Sequence, residues 1–555
     1  MLKLLRPILL YITLVITSGV IGAESQRTTP NSELGAAVTF LSGLPPEVQL
    51  HTRFFSTYAV PEELREKAVL TLSFVCHSLI GPGQSENTAV GAYYPLATAK
   101  GGKFEPRTLV PGSQTLYYID LRWFNWSAKA WDEAARQDAY FDVLWLKPEN
   151  AAFTNSVLRA DWFIAHATDP TYQQDREEKR ILFREFLYAN TVPPRTIEEF
   201  RKTWGVDAAD LQKRQLQFGS LVTTNTTVSL RNRILALART PYGNYCETSD
   251  VKNDVGVRDY KNNIPLVKPI PVKRDASETI TNNAVGLQVY DLYDGAGNSV
   301  EFADATVVRD RSKNDVRVKT MRSCITCHSA GLIPTENVSE EDLRQGVFIN
   351  IKDYNDKLKF ERVYLSGGAA DIIDDGQRIF EKAMLRVNGL DPTLNTKNYE
   401  EIMDWYEEPV GLKQAALECG LSEQEYRIIC DQEVSGNLAS LVKYNRPIVR
   451  SKWDIANQDG VPGEYVRSML LIHSVSYDQF LKAVGVQKVE VVKQNYVYAA
   501  FTFEAYLDDA KTLITVPEKS QMLLLTTEDQ KGVIWNRVEF NGKSFWVKAD
   551  RIKHE

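Results

Sequence analysis

Cys324-Ile325-Thr326-Cys327-His328 is the stretch of this chain whose residue types and spacing prescribe a chemistry. Two thiols one helical turn apart, followed directly by an imidazole, are the pattern that attaches a c-type haem. The sulfurs form thioethers with the two vinyl groups on one porphyrin edge. The histidine then becomes the proximal ligand of the iron. The chain holds six cysteines and six histidines in 555 residues. A chance Cys-x-x-Cys-His arises on the order of once in a thousand such sequences. Two other readings compete. A zinc site needs a second ligand pair at matching spacing, which Cys419 and Cys430 do not make. A redox-active Cys-x-x-Cys needs a thioredoxin-like setting, which is missing.

The residue opposite His328 on the iron decides what the iron does. A methionine suits electron transfer, and an open position suits small-molecule chemistry. Met384 is the distal candidate. It lies on an apolar helical stripe, which is also where a core methionine lies. Met403, His166 and His473 are weaker candidates. Arg322 is read either as a partner for a haem propionate or as a solvated cation. A nucleophile elbow, a phosphate loop and a His-Glu-x-x-His helix are all missing.

Several elements must position these groups. Pro61 to Leu79 has Leu64, Ala68, Leu72, Val75 and Leu79 at helical spacing. His77 falls roughly 170° from that stripe at about 100° per residue, so a surface position is expected. Leu116 to Trp123 reads as a strand. Around it Trp123, Trp126, Trp131, Trp145 and Trp162 form an aromatic core or, as the competing reading, a carbohydrate or cofactor wall. Asn155 to Ala165 reads as a helix, with His166 at the margin of its apolar face as a hydrogen-bonded structural residue. Residues 173–215 are charged and helical in character, and Lys252 to Lys273 runs irregular and extended. Two strand-like runs, Gly286 to Tyr293 and Ala305 to Val308, flank a turn at Asp294-Gly295-Ala296-Gly297-Asn298. Asp371 to Val387 reads as a helix with Ile373, Phe380, Met384 and Val387 on one stripe, closed by Asn388-Gly389. Two short helices follow, at Leu412 to Cys419 and Glu423 to Asp431. Gly420 separates them, and Ser422 and Glu425 form a capping box. The pair looks like a helix-turn-helix and is read as packing. Gln458 to Gly463 reads as a linker. The last stretch, 487–552, is strand-rich, with a hairpin turn at Asn541-Gly542.

Composition sets the broad class. The chain is 43% hydrophobic and 25% charged, which is ordinary globular usage and excludes a disordered or fibrous protein. A net charge of −7 gives no basic footprint for nucleic acid. Lys3 and Arg6 precede an apolar run from Ile8 to Ile16, with a cleavage site after Ala23. Residues 1–23 are therefore expected to be a signal peptide. A membrane association arises only if that segment is retained. Export agrees with haem attachment and permits disulfides among Cys76, Cys246, Cys419 and Cys430, in a pairing that spacing leaves open.

Residues 286–334 resemble a group of exported bacterial proteins, common in planctomycetes, that carry one Cys-x-x-Cys-His site. The resemblance rests on Gly286-Leu287-Gln288-Val289-Tyr290, on Asp294 to Asn298, on Val308-Arg309-Asp310 and on the motif itself. Tyr118 to Trp126, Arg159-Ala160-Asp161-Trp162-Phe163 and the stretch 400–455 are similar too, so it extends patchily over 45–455. His166 and Cys246 depart from that group's pattern. The resemblance implies haem binding and electron transfer without naming a substrate. The closing hairpin resembles that of bacterial SH3-like barrels.

The expected architecture is α+β and multidomain. A signal peptide (1–23) and a flexible leader (24–45) precede a mixed α/β domain (46–285). A mainly helical, cytochrome c-like haem region follows (286–460), then a linker and a small antiparallel SH3-like β-barrel (461–555). The expected function is an exported monohaem c-type cytochrome with one covalent haem c, carrying electrons in the periplasm to redox partner proteins. A haem enzyme or sensor with an open sixth position, for peroxide or a small gas, is the first alternative. A module that binds cell wall or a peptide partner through its SH3-like domain, with structural haem, is the second.

Overall fold

A computed structural model describes residues 30–82, 109–135, 137–138, 157–173, 182–206, 219–223, 228, 233–252, 274–311, 315–332, 353–355, 358, 369–430, 436–454, 463–465, 467–468, 495–499, 503–506, 513–516, 521–530, 533–540, 543–548 and 552–554. The signal segment, Trp145, His473, the run 253–273, the loop 458–462 and the Asn541-Gly542 turn lie outside them. The architecture is mixed α/β. Among the described residues it contains sheets of three, six, two and five strands.

The N-terminal elements are α1 (Pro30–Ser42), β1 (Thr52–Ser56), α2 (Arg65–Ser78), β2 (Leu116–Asp120), α3 (Ala128–Ala135), β3 (Val157–Arg159) and α4 (Ala160–Thr168). β1 is central, antiparallel to β2 and parallel to β3. Three expectations are corrected here. Residues 30–42, expected in a flexible leader, form α1. Ala37 and Leu41, four apart and so on one face, are buried with Phe54, Leu116 and Val157. The helix expected from Asn155 starts only at Ala160, because Val157–Arg159 is drawn into pairing with β1. The strand expected to reach Trp123 stops at Asp120. The Asp120 carboxylate accepts the Arg122 N–H at 2.9 Å and opens a 3-10 turn. The aromatic residues do form a core. Trp126 meets Phe186 at 4.5 Å between ring centroids, Trp131 meets Phe55 at 4.9 Å, and Phe163 meets Phe186 at 5.1 Å.

Helices α5 (Leu182–Leu187) and α6 (Ile197–Thr203) lead to an antiparallel meander. Its strands are β4 (Gly219–Thr223), β5 (Arg233–Thr240), β6 (Gly243–Ser249), β7 (Ala276–Asn282), β8 (Gln288–Asp294) and β9 (Ser299–Val300). β7 and β8 pair from Ala276↔Asp294 to Asn282↔Gln288. The expected domain boundary at 285/286 therefore falls inside one sheet, and the strand expected from Gly286 is present as β8. In the β8–β9 turn the Asp294 carboxylate accepts the N–H groups of Ala296 and Asn298, at 2.9 and 2.8 Å. The return strand is Ser299–Val300, not Ala305–Val308. That later run is bent by Asp304, whose carboxylate accepts from Thr306 N–H and Oγ1–H at 2.8 and 2.6 Å.

The helices that follow are α7 (Arg322–Cys327), α8 (Ala369–Asn388), α9 (Pro392–Glu407), α10 (Leu412–Glu418), α11 (Glu423–Cys430), α12 (Gly436–Tyr444) and α13 (Arg450–Asp454). α8 lies across β4–β7 and buries Ile373, Phe380, Met384 and Val387, as its stripe requires. It ends at Gly389, whose φ of +71° suits a residue without a Cβ. The Ser422–Glu425 capping box is present, with reciprocal bonds of 2.7 and 3.2 Å. α10 to α13 carry a second apolar cluster that includes Leu412, Tyr426, Leu441 and Trp453.

Between this cluster and the N-terminal core lies a buried ionic network. Glu418 accepts from Arg159 at 2.9 Å, from both terminal nitrogens of Arg450 at 3.0 and 2.8 Å, and from Trp453 Nε1–H at 2.7 Å. Arg159 also meets Asp161 at 3.0 Å, and Arg450 meets Asp454 at 3.4 Å. Tyr406 Oη–H donates to Asp454 at 2.7 Å.

The C-terminal strands are β10 (Asn495–Ala499), β11 (Phe503–Tyr506), β12 (Leu513–Val516), β13 (Gln521–Gln530), β14 (Val533–Phe540), β15 (Lys543–Lys548) and β16 (Ile552–His554). They form a five-stranded antiparallel sheet, in the order β15-β14-β13-β10-β16, and a β11–β12 pair.

Candidate functional site

The chain enters the Cys-x-x-Cys-His motif from the end of the six-stranded sheet. Thr320 N–H donates to Glu301 O at 3.0 Å, and its hydroxyl donates to Val300 O at 3.1 Å. Arg322 N–H then donates to Thr320 O at 2.8 Å, around Met321 at φ 65° and ψ −61°. This is a γ-turn of the rare, strained hand. Such a conformation in a non-glycine residue costs about 1–3 kcal/mol and persists only where surrounding packing holds it. Here the Met321 side chain is buried in the main core. The reversal starts α7 directly, and Cys324 comes to lie in the same apolar cluster as Tyr290 of β8.

Cys324 is only 7% exposed, while Cys327 and His328 are half-buried. His328 N–H continues the last helical turn onto Cys324 O at 2.8 Å. The His328 ring is fixed by Nδ1, which donates to Gly331 O at 3.2 Å. That tautomer places the ring's lone pair on Nε2, the nitrogen that can ligate a metal. Gly331 has φ +100°, and a Cβ there would run into the amide of Gln377. Gln377, from α8, donates to Ala330 O and so holds the turn that orients His328. Sequence reasoning missed Gln377 because it belongs to no motif.

Gln288 and Tyr290 alternate along β8 and therefore share a face. The Tyr290 ring lies 6.0 Å from the His328 ring at 30°. Its hydroxyl donates to Gln288 Oε1 at 2.9 Å. Burial, and then the Cys324 and Cys327 sulfurs, push the Tyr290 phenol up. Gln288 is 2% exposed, and its Nε2 has no hydrogen-bond partner. Gly286, two residues earlier, has φ +96°. A Cβ there would sit 2.9 Å from Ile379 Cγ2 of α8, so only glycine lets this end of the strand approach the helix. The Gly-Leu-Gln-x-Tyr stretch thus contributes a close packing point and two polar groups beside the motif.

The remaining candidates fall as follows. Arg322 is not solvated. It is buried over the Tyr399 ring, 5.2 Å from its centroid, and pairs with Glu407 at 3.3 Å and Asp404 at 3.6 Å, which ties α7 to α9. His77, expected on the surface, is fully buried because α4, α8 and α9 enclose α2 on its other sides. Its Nδ1–H donates to Ser73 O, and its ring packs against Phe124 at 5.2 Å. His166 donates from Nδ1 to Trp162 O at 2.9 Å and stacks on Trp162 at 4.1 Å, as a structural histidine does. Met384 and Met403 are both fully enclosed. Met384 belongs to the same cluster as Cys324 and Tyr290. None of the six cysteines is joined in a disulfide.

The residue set suits covalent haem. Two sulfurs three residues apart precede an imidazole whose Nδ1 is engaged by a backbone carbonyl, and an orphaned buried donor lies beside them. Burial pushes the Cys324 thiol up, which does not suit an exchange-active thiol. Among the described residues, no group of three or more His, Cys, Asp and Glu side chains could hold a metal ion. Among those residues also, no helix is long and apolar enough to cross a membrane. No protein-family model, curated protein or solved structure matches the chain.

Proposed function

We propose that this chain is an exported monohaem c-type cytochrome that binds one covalent haem and passes electrons in the periplasm. The observation that carries the reading is the Cys324-x-x-Cys327-His328 run folded as one helical turn, with His328 Nδ1–H bonded to Gly331 O. A histidine that ligates a metal commonly donates its other nitrogen to a carbonyl or carboxylate in this way, which fixes ring orientation and raises ligand basicity. Cys324 and Cys327 would tether the haem, and His328 would hold the iron. Bound haem supplies a one-electron iron couple. Met384, fully enclosed on α8, is the side chain this reading nominates for the distal position. The five-stranded antiparallel sheet supports an SH3-like C-terminal domain as a docking module for a redox partner or cell-wall peptide.

The test is covalent haem itself. The purified protein should stain for haem on a denaturing gel and show a c-type reduced spectrum. Changing Cys324 and Cys327 together to Ala should abolish both signals. Haem staining that survives the double substitution refutes the assignment.

A further inference from the structure

Among the described residues, three buried polar atoms around the motif lack a partner, Arg322 Nη1, Gln377 Oε1 and Gln288 Nε2, and the last is on the side chain bonded to Tyr290. Gln288 Nε2 is buried and has no partner, and an unmade hydrogen bond at a buried donor destabilises the fold. Nor can the amide relax by flipping. Its Oε1 already accepts from Tyr290 Oη–H at 2.9 Å. Turning the amide over would exchange an orphaned donor for an orphaned acceptor. The orphan is also close to the chemistry. The Tyr290 ring lies 6.0 Å from that of His328 and belongs to the main apolar cluster with Cys324. The Gln288 amide is therefore one hydrogen bond away from the side chain that packs beside His328.

We propose that Gln288 is a cofactor-contacting residue, whose Nε2–H donates to an anionic acceptor carried by the bound haem, with Tyr290 as the positioning residue that holds the amide. The inference rests on the haem reading above. The acceptor is either a propionate or a small anion that displaces Met384 at the iron, and both present the same chemistry to an amide donor.

The experiment compares Gln288→Met in two backgrounds, the haem-loaded protein and the haem-free Cys324→Ala/Cys327→Ala protein. Without haem, and with Tyr290→Phe added so that no buried hydroxyl loses its acceptor, removing the unpaired donor should leave the unfolding midpoint unchanged or raise it. With haem, the same change should lower the midpoint and shift the reduction potential. Tyr290→Phe should move the potential in the same direction by less, and Gln288→Glu should move it further by placing a carboxylate against the acceptor. Azide separates the two sources. Affinity weakened by about tenfold, the value of one charge-assisted hydrogen bond, places the acceptor at the iron. A shifted potential with azide affinity unchanged, or with no azide binding in either protein, places it at a propionate. Equal unfolding shifts in the two backgrounds, with an unmoved potential, overturn the proposal and leave the haem reading intact. A wild-type protein without haem stain overturns both.

Discussion

Replacing Glu418 with Gln should be among the most damaging isosteric changes available in this fold. The carboxylate is fully buried and is contacted by Arg159, Arg450, Trp453 and Gln414 at 2.7–3.0 Å. Burial alone would raise its pKa. The two guanidiniums outweigh burial and hold it at about 2, against an ordinary 4.5. At about 1.4 kcal/mol per pH unit, that depression corresponds to roughly 3 kcal/mol of stability. Removing one partner of a buried ion pair costs about 3–5 kcal/mol, which agrees in size. The pH dependence has a definite sign. A depressed carboxylate contributes its full stability above pH 4.5 and loses it as pH falls through 2. Urea unfolding followed by tryptophan fluorescence should therefore show a deficit of about 3 kcal/mol at pH 7, narrowing steadily below pH 4.5. Asp454 should behave in the opposite way. Arg450 turns its two terminal nitrogens to Glu418 at 3.0 and 2.8 Å and leaves Asp454 the longer 3.4 Å contact. Burial then dominates and pushes Asp454 up to about 6. A raised carboxyl favours the fold while protonated and loses that contribution as pH rises through 6. Asp454→Asn should raise the unfolding midpoint at pH 8 and leave it unchanged at pH 4. A Glu418→Gln deficit below about 1 kcal/mol, or one that does not narrow with acid, would refute the reasoning.

Two further changes test the site. Gly331→Ala should cost roughly 1–3 kcal/mol for a side chain at φ +100°. Adding Gln377→Ala should recover the part due to collision with that amide, which the unfolding midpoints of the single and double variants will show. Met384→Leu conserves volume in an enclosed position and should cost less than about 1.5 kcal/mol if the side chain only packs. If Met384 also occupies the iron's distal side, the reduced variant should gain a carbon monoxide-induced shift of its main absorption band that the parent lacks.

What the sequence made legible follows from where the information sits. α8 was readable because Ile373, Phe380, Met384 and Val387 recur at the helical period, and its end was marked by Asn388-Gly389. On the proposed reading, the motif's chemistry lies in spacing alone. α2 shows the limit of periodicity. Leu72 and Val75 mark which face is apolar, but nothing local says whether the other face is covered. Ser73 and His77 are buried because three other helices close over them. Residues 30–42 misled in the same way, since a polar-looking stretch needs only Ala37 and Leu41 on one face to dock.

The charged residues were the least legible, and they make the same point at longer range. Arg159 and Glu418 are 259 positions apart and 2.9 Å apart in space. Read in one dimension, each is an ordinary solvated charge. Only the fold turns them into an enclosed pair that must both be present. The candidate site divides along the same line. Its covalent donors occupy five consecutive residues. The groups that orient them come from elsewhere: Tyr290 and Gln288 from a strand some 35 residues earlier, and Gln377 from a helix about 50 residues later. Substitutions in the motif should therefore change whether a cofactor is attached. If the proposed haem is bound, substitutions at Gln288, Tyr290 and Gln377 should change how its iron behaves.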